Sequence, residues 1–384
     1  MTRRSRRIFF YSSILFFLLL SPLIIGYSLG YTLNPTKGIV EKTGGIFIKS
    51  KTPRLSIFLN AQFVKQTSFL SGGALLTDII PGTHLLRLEK ANYIPWSKTI
   101  VVDPETVTEL RNIILVPRPV PIATSTPDEV AMIRARMDIK QIRVAIPGEK
   151  MIAPDLPTPA PTPYFFLDQA RNLIGKTATT SVTLAPHVNS FGFIDGTVFF
   201  IDKNGFLGRI DPGSGAITTI GRPGFYLSDI QAKFDKAPNG DIIIRDASGG
   251  CFLSDGLTNI KALTGGVRDI AFDNDGEKML LRKDNSVDIV FLADNRFQPF
   301  QKRGTREQIF SSNAPIQDAD WFFGDNAHII VRTTDGIFFT ETNGTDGKNT
   351  VQLFDKKTDD IITFPDVPNS MFFRRGKIFY TITL

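Results

Sequence analysis

The hydrophobic pattern along the chain changes character twice, and each change marks a boundary. From Ile8 to Thr36 there is no charged residue, and Ile8 to Tyr27 is almost continuously Ile, Leu, Phe and Tyr. About 20 apolar residues at 1.5 Å each match a hydrocarbon core of about 30 Å. A transmembrane helix is therefore predicted over residues 8–33, behind a basic tail at 1–7; Pro22 and Gly26 are tolerated in such a helix. From 44 to 116 the pattern breaks into short runs. Ile46-Phe47-Ile48, Leu55 to Leu59, His84 to Lys90 and Lys98 to Val102 read as strands, with the turn dipeptide Pro81-Gly82 directly before the third. A small antiparallel β-sandwich is predicted there, with Tyr93 and Trp96 covering one end.

From Tyr164 onward a tight turn followed by a hydrophobic strand recurs five times. The turns are Asp195-Gly196, Asn239-Gly240, Asp275-Gly276, Asp325-Asn326 and Arg375-Gly376. The strands that follow are Thr197 to Asp202, Asp241 to Arg245, Glu277 to Arg282, Ala327 to Arg332 and Lys377 to Ile382. Gly196 and Gly376 lie 180 residues and four steps apart, a mean of 45, which suits one four-stranded propeller blade per repeat. A β-propeller over 164–384 is predicted, with five blades and six as the alternative count. Its architecture resembles a WD-repeat propeller, although no repeat ends in Trp-Asp. The fifth repeat stops at Leu384 without outer strands. Residues 164–184 are expected to supply them, because Tyr164 to Asp168 and Thr180 to Leu184 parallel Ile337 to Glu341 and Thr350 to Phe354.

Between sandwich and propeller, residues 117–163 read as a linker. Pro117 to Pro121 and Ala153 to Pro163 are proline-rich and favour extended arms. Between them a short helix is expected. Thr126 caps it, Pro127 takes the first helical position, Glu129 completes a capping box, and Val130, Ile133 and Met137 share a face. Ile139 to Ile146 alternates like a strand.

Residues of the first module resemble the PEGA domain, a small β-sandwich of bacterial surface proteins. Pro81, Gly82, His84, Leu86, Leu88, Lys90 and Tyr93 stand in the family's order, followed by Trp96. The chain departs from the pattern at Pro53-Arg54-Leu55-Ser56, where the name-giving motif would fall. It departs again at Asn92, where the family has glycine and where Asn is expected to adopt the same left-handed backbone. The resemblance implies attachment and no chemistry.

Charge completes the topology. Arg3, Arg4, Arg6 and Arg7 precede the apolar segment, and Lys37 is the first charge after it. These four residues are the predicted topology determinants. They place the N-terminus in the cytoplasm and the rest of the chain outside, in a single-pass membrane protein of the bacterial cell envelope. A cleaved signal peptide is the alternative, with Ser28 and Gly30 suitably placed before Tyr31. The four arginines also account for four of the net +6 charges, so the remainder is close to balanced and no nucleic-acid partner is expected. Cys251 is the only cysteine and reads as a core residue. Only His84, His187 and His328 are present, scattered along the chain, and no Walker loop, HExxH helix, dinucleotide fingerprint or nucleophile elbow occurs. No catalytic, metal or cofactor residue is therefore assigned. The expected function is a membrane-anchored extracytoplasmic binding or scaffold protein, whose partners are membrane lipid, through the helix, and an envelope protein or glycan. A glycan-directed hydrolase or lyase built on the propeller is the alternative, and a sensor or transport accessory a third reading.

Overall fold

A computed structural model of the chain describes residues 3–34, 38–142, 164–176, 180–211, 214–222, 232–255, 259–324, 326–343 and 347–384. The chain is mostly β, with one N-terminal apolar helix. That helix, α1 (Arg3–Ser28), is long and apolar enough to cross a membrane, and none of it is buried in the protein. It begins earlier and ends sooner than the pattern predicts. Basic residues are good helix formers, so the first turn includes them. At the other end, Gly30 takes a φ of +81° and turns the chain into a hairpin of Tyr31–Asn34 and Ile39–Lys42.

The sandwich follows with two sheets. Gly44–Ser50 lies between Gly73–Ile79 and Val107–Ile113 in one. Gln62–Gln66, Ser56–Leu59, Gly82–Glu89 and Trp96–Val102 form the other in that order. Ile46, Ile48, Ile57, Leu86, Leu88, Ile100 and Leu110 are buried between them, from alternate positions of their strands. Asn92 does adopt a left-handed φ of +63°, so it replaces glycine without losing the turn. Gly82 opens its strand at φ +146°, a region a side chain would resist.

Beyond the sandwich, antiparallel sheets succeed one another along the chain and pack face to face in a propeller-like array. The first has three strands, Tyr164–Leu167, Leu173–Lys176 and Ser181–Ala185. The second has Val188–Ile194, Thr197–Asp202, Leu207–Ile210 and Ile217–Gly221; the third Lys233–Lys236, Ile242–Arg245, Cys251–Ser254 and Ile260–Thr264. The fourth comprises Asp269–Phe272, Lys278–Arg282, Ser286–Phe291 and Arg306–Ser311, and the fifth Ile316–Trp321, His328–Thr333, Gly336–Glu341 and Thr350–Phe354. In each four-stranded sheet the second strand is almost wholly buried, as Thr197–Asp202 and Ile242–Arg245 show, because neighbouring sheets cover both its faces. The Asp195-Gly196 turn has φ of +45° and +77°, the paired positive values of a tight hairpin. Cys251 is fully buried between the third and fourth sheets, and burial pushes its thiol up to about 12.

The sixth sheet corrects the expected closure. Its strands are Asp360–Ile362, Ser370–Arg375 and Ile378–Thr383, and its fourth is Ile122–Thr124, paired antiparallel with Ile378–Thr383 through Ala123 and Thr381. Residues 164–184 do not contribute to it; Tyr164–Leu167 pairs with Leu173–Lys176 in the first sheet. The Arg375-Gly376 turn joins the second and third strands here, whereas the other four turns join the first and second. Glycine turns also join second and third strands elsewhere, as Asn204-Gly205 and Asp335-Gly336 do, so the turn alone does not fix the register. Only one outer strand is then missing at the C-terminus, and the segment directly after the sandwich fills it.

The expected linker is therefore part of the fold over its described length. Ile114, Val116 and Val120 pack with Met371, Phe373 and Ile382. α2 (Pro127–Ile142) begins with the expected capping box: Glu129 Oε2 accepts the Thr126 N–H at 2.7 Å, and Thr126 Oγ1 accepts the Glu129 N–H at 3.3 Å. It runs through Ile139, so the strand-like alternation is not realised to Ile142; the rest of that stretch, residues 143–146, and the second proline run, residues 153–163, lie outside the described residues. Val130, Ile133 and Met137 share a face as expected, and they cover Ile362, Phe372 and Phe379 of the sixth sheet.

Candidate functional site at the module junction

In Trp96–Val102 the residues Trp96, Lys98, Ile100 and Val102 are buried, and those between them are exposed or half-buried. A lysine in the buried phase needs a partner, because an unpaired ammonium away from water is costly. Glu341, the last residue of Gly336–Glu341 in the fifth sheet, supplies it. Lys98 Nζ donates to Glu341 Oε1 at 2.8 Å, with side-chain exposures of 1% and 9%. The second carboxylate oxygen accepts Trp96 Nε1 at 3.1 Å. Asn349 adds two donors to Oε1, from its backbone N–H at 3.0 Å and its Nδ2 at 3.1 Å, while its Oδ1 accepts the Ser97 N–H at 3.2 Å. Lys98 also donates to the Asn343 carbonyl at 2.9 Å. The carboxylate is thereby saturated by both modules. Beside it the His328 ring stacks on Phe339 with centroids 4.7 Å apart, and Ile94, Pro95 and Val116 line a cavity of about 90 Å³ with them.

Two further clamps flank this network. Lys51 Nζ donates to the Gly324 carbonyl at 3.0 Å and to Asn369 Oδ1 at 2.9 Å. Gln298 Oε1 accepts the Glu109 N–H at 2.8 Å, and its Nε2 donates to the Val107 carbonyl at 3.1 Å. The sandwich is thus held on the array at three separated points.

Of the residues named in the sequence, Trp96 belongs to this junction directly and His328 lines its cavity. Tyr93 is adjacent: it bridges Pro117, and Lys90 Nζ sits 4.9 Å from its ring centroid. His84 is elsewhere, satisfied by Asn60 Nδ2 at 3.0 Å and the Ile80 carbonyl at 2.7 Å. Pro81 and Gly82 start the strand that carries it. Arg4, Arg6 and Arg7 are exposed on the first turns of α1, which Arg3 opens. Lys98, Glu341, Asn349 and Gln298 are not among the residues the sequence singles out. Extending the Lys98 strand back to Trp96 exposes the signal, since a lysine then falls in phase with Trp, Ile and Val.

Among the described residues no group of three or more His, Cys, Asp or Glu is arranged to hold a metal ion. One buried acid stands apart from the junction. Asp273, 3% exposed, accepts the Lys278 N–H at Oδ1 (3.0 Å), and its Oδ2 is buried without a hydrogen-bond partner. Burial pushes its carboxyl up to about 6, against the pull of the Lys278 N–H and ammonium. A folded-state pKa above the ordinary 3.8 means this group favours folding most below that value and loses the contribution as pH rises through 6. Asp273→Asn keeps the acceptor for Lys278 and removes the titration. The variant should gain on the parent by about 2–3 kcal/mol between pH 4 and pH 7.5. Thermal unfolding at the two pH values checks this, and an equal difference at both would refute it.

No protein-family description and no curated protein matches the sequence. Among solved structures, 57% of the chain aligns with 33% of the extracellular domain of a one-component system from B. thetaiotaomicron, at 13% identity and a TM-score of 0.32. The chain therefore spans a third of the length of that neighbour. YCF48 from Cyanidioschyzon merolae aligns over 57% of this chain and 76% of its own, at 11% identity and a TM-score of 0.33. YCF48 bound to D1 peptide gives 57% and 76%, at 12% identity and a TM-score of 0.31. Superpositions this loose carry no argument about what the chain does.

Proposed function

We propose that the chain is a membrane-anchored binding or scaffold protein of the cell envelope, in which the sandwich and the sheet array are presented outside the cytoplasm as one rigid unit. The observation that carries this reading is the Lys98–Glu341 pair with Trp96 and Asn349, buried between the two modules above a single apolar helix. A junction of this kind spends polar groups on holding two surfaces in fixed relation. The two-sheet sandwich, with Pro81-Gly82 at a strand start and Asn92 in a left-handed turn, supports a PEGA-like module whose role is attachment.

Orientation follows from the basic first turns of α1. Replacing Arg3, Arg4, Arg6 and Arg7 by Glu should misplace the C-terminal domains in a large share of molecules, read as loss of an externally accessible C-terminal reporter. A reporter that stays outside in every molecule would show that these charges do not set topology. The binding reading is tested with the purified full chain in detergent, titrated against envelope glycan fragments and scored for turnover as well as binding. Saturable binding without bond cleavage supports it. Catalytic release of glycan fragments would replace it with an enzyme.

A further inference from the structure

The sandwich meets the apolar helix without a slack tether. Thr43 donates to the Gly30 carbonyl from its backbone N–H at 2.8 Å and from its hydroxyl at 3.0 Å. The Glu105 N–H donates to the Thr43 carbonyl at 3.0 Å, and the Gly45 N–H to that of Thr106 at 2.9 Å. Residues 103–106 are therefore fastened to the end of α1. Gly44–Ser50 leaves from that point and carries the chain about 20 Å away, to Ser50, whose N–H donates to the Gly72 carbonyl at 3.0 Å. The sandwich thus has a helix-proximal end at 102–106 and a distal end at 68–73.

The connection between Ser286–Phe291 and Arg306–Ser311 of the fourth sheet is clamped near the proximal end by Gln298, through Val107 and Glu109. It carries two rings that the fold leaves uncovered: Phe297 is 61% exposed and Phe300 70%. Phe300 stands with Val101, Asp103 and Thr106 at a cleft of about 290 Å³. Phe297 lies 5.5 Å from the Arg111 guanidinium. Arg296 and Lys302 are exposed on the same loop, Lys302 3.1 Å from the loop's acid Asp294, whereas Arg303 is held inward by Asp241 at 2.7 Å and the Leu292 carbonyl at 3.0 Å. Val101, Val107, Ile39 and Val40, between 42% and 65% exposed, add apolar surface on the strands nearest α1. A soluble surface gains nothing from such a run, whereas a lipid headgroup layer accepts aromatic rings with cations beside them.

We propose that this loop rests in the outer headgroup layer of the membrane that α1 crosses, with Phe297 and Phe300 inserted and Arg296 and Lys302 facing anionic lipid phosphates. The inference rests on the reading of α1 as a membrane anchor. It supplies a second attachment, so the body lies on the membrane instead of swinging on its helix.

The test uses the full chain in phosphatidylcholine–phosphatidylglycerol vesicles containing lipids brominated near the headgroup end of the acyl chain, with lipids brominated near the chain terminus for the position within α1. Native Trp96 and Trp321 are buried and give a constant background. Three variants add one tryptophan each: Phe17→Trp within α1, Phe300→Trp on the loop, and Phe69→Trp at the distal end. Quenching is expected at positions 17 and 300 and not at 69. Quenching at 17, with 300 no different from 69, overturns the proposal while the anchor stands; no quenching at 17 removes the anchor and the proposal with it. Adding Arg296→Glu and Lys302→Glu to Phe300→Trp should reduce its quenching about twofold in these anionic vesicles, and unchanged quenching would overturn the assigned lipid charge.

Discussion

Replacing Lys98 by Ala is expected to destabilise the protein by about 3–5 kcal/mol, because it leaves the Glu341 carboxylate buried with its cationic partner gone. Glu341→Ala should cost a similar amount, since it strands the Lys98 ammonium and also frees Trp96 Nε1 and two Asn349 donors. The two losses are not independent. Truncating both residues should cost clearly less than their sum, with a coupling of about 2 kcal/mol or more. A pair of apolar replacements of similar size, Lys98→Met with Glu341→Leu, should recover much of the loss, because matched apolar groups avoid the desolvation of both charges. Chemical denaturation of the four proteins measures this cycle. Additive effects would mean that the two residues do not hold the junction together.

Deleting Lys377–Leu384 should lower the melting temperature by more than about 10 °C, and the product should self-associate. The deletion removes Phe379 and Ile382, both buried, and losing two such side chains costs about 5–10 kcal/mol, at about 2–4 °C per kcal/mol in a body of this size. It also strips Ile122–Thr124 of its only partner and leaves Ser370–Arg375 as an open edge under the α2 helix. Pairing itself is read by Ala123→Cys with Thr381→Cys, which stand opposite one another in the ladder. Oxidation should link them and raise the melting temperature. A linked pair that forms only between molecules, or a deletion that melts like the parent, would contradict the assigned last strand.

The sequence reads well wherever a strand is buried on both faces. Ile242 to Arg245, Lys278 to Arg282 and Thr197 to Asp202 are dense apolar runs with a turn in front, and the structure places strands there within a residue. Outer strands such as Ile217–Gly221 and Gln62–Gln66 are largely exposed, so selection for burial leaves little pattern in them. Ile122–Thr124 is three exposed residues after a proline run, and nothing local distinguishes it from linker. Its place is decided by an unpaired edge some 250 residues away. The junction was partly legible: Trp96 stood out by size, but Glu341 and Asn349 become meaningful only when the fifth sheet meets the sandwich. Gln298 carried no sequence signal, since its amide bonds backbone rather than a complementary side chain.

The proposed role requires the sandwich and the sheet array to form one rigid body. A distance distribution between spin labels at Gln62→Cys in the sandwich and Lys233→Cys in the third sheet measures this directly, with Cys251 buried and unreactive. A single narrow distance is predicted for the parent sequence, broadening when Lys98→Ala is added. A broad distribution in the parent itself would contradict the rigid junction and return residues 117–121 to the role of an extended linker arm.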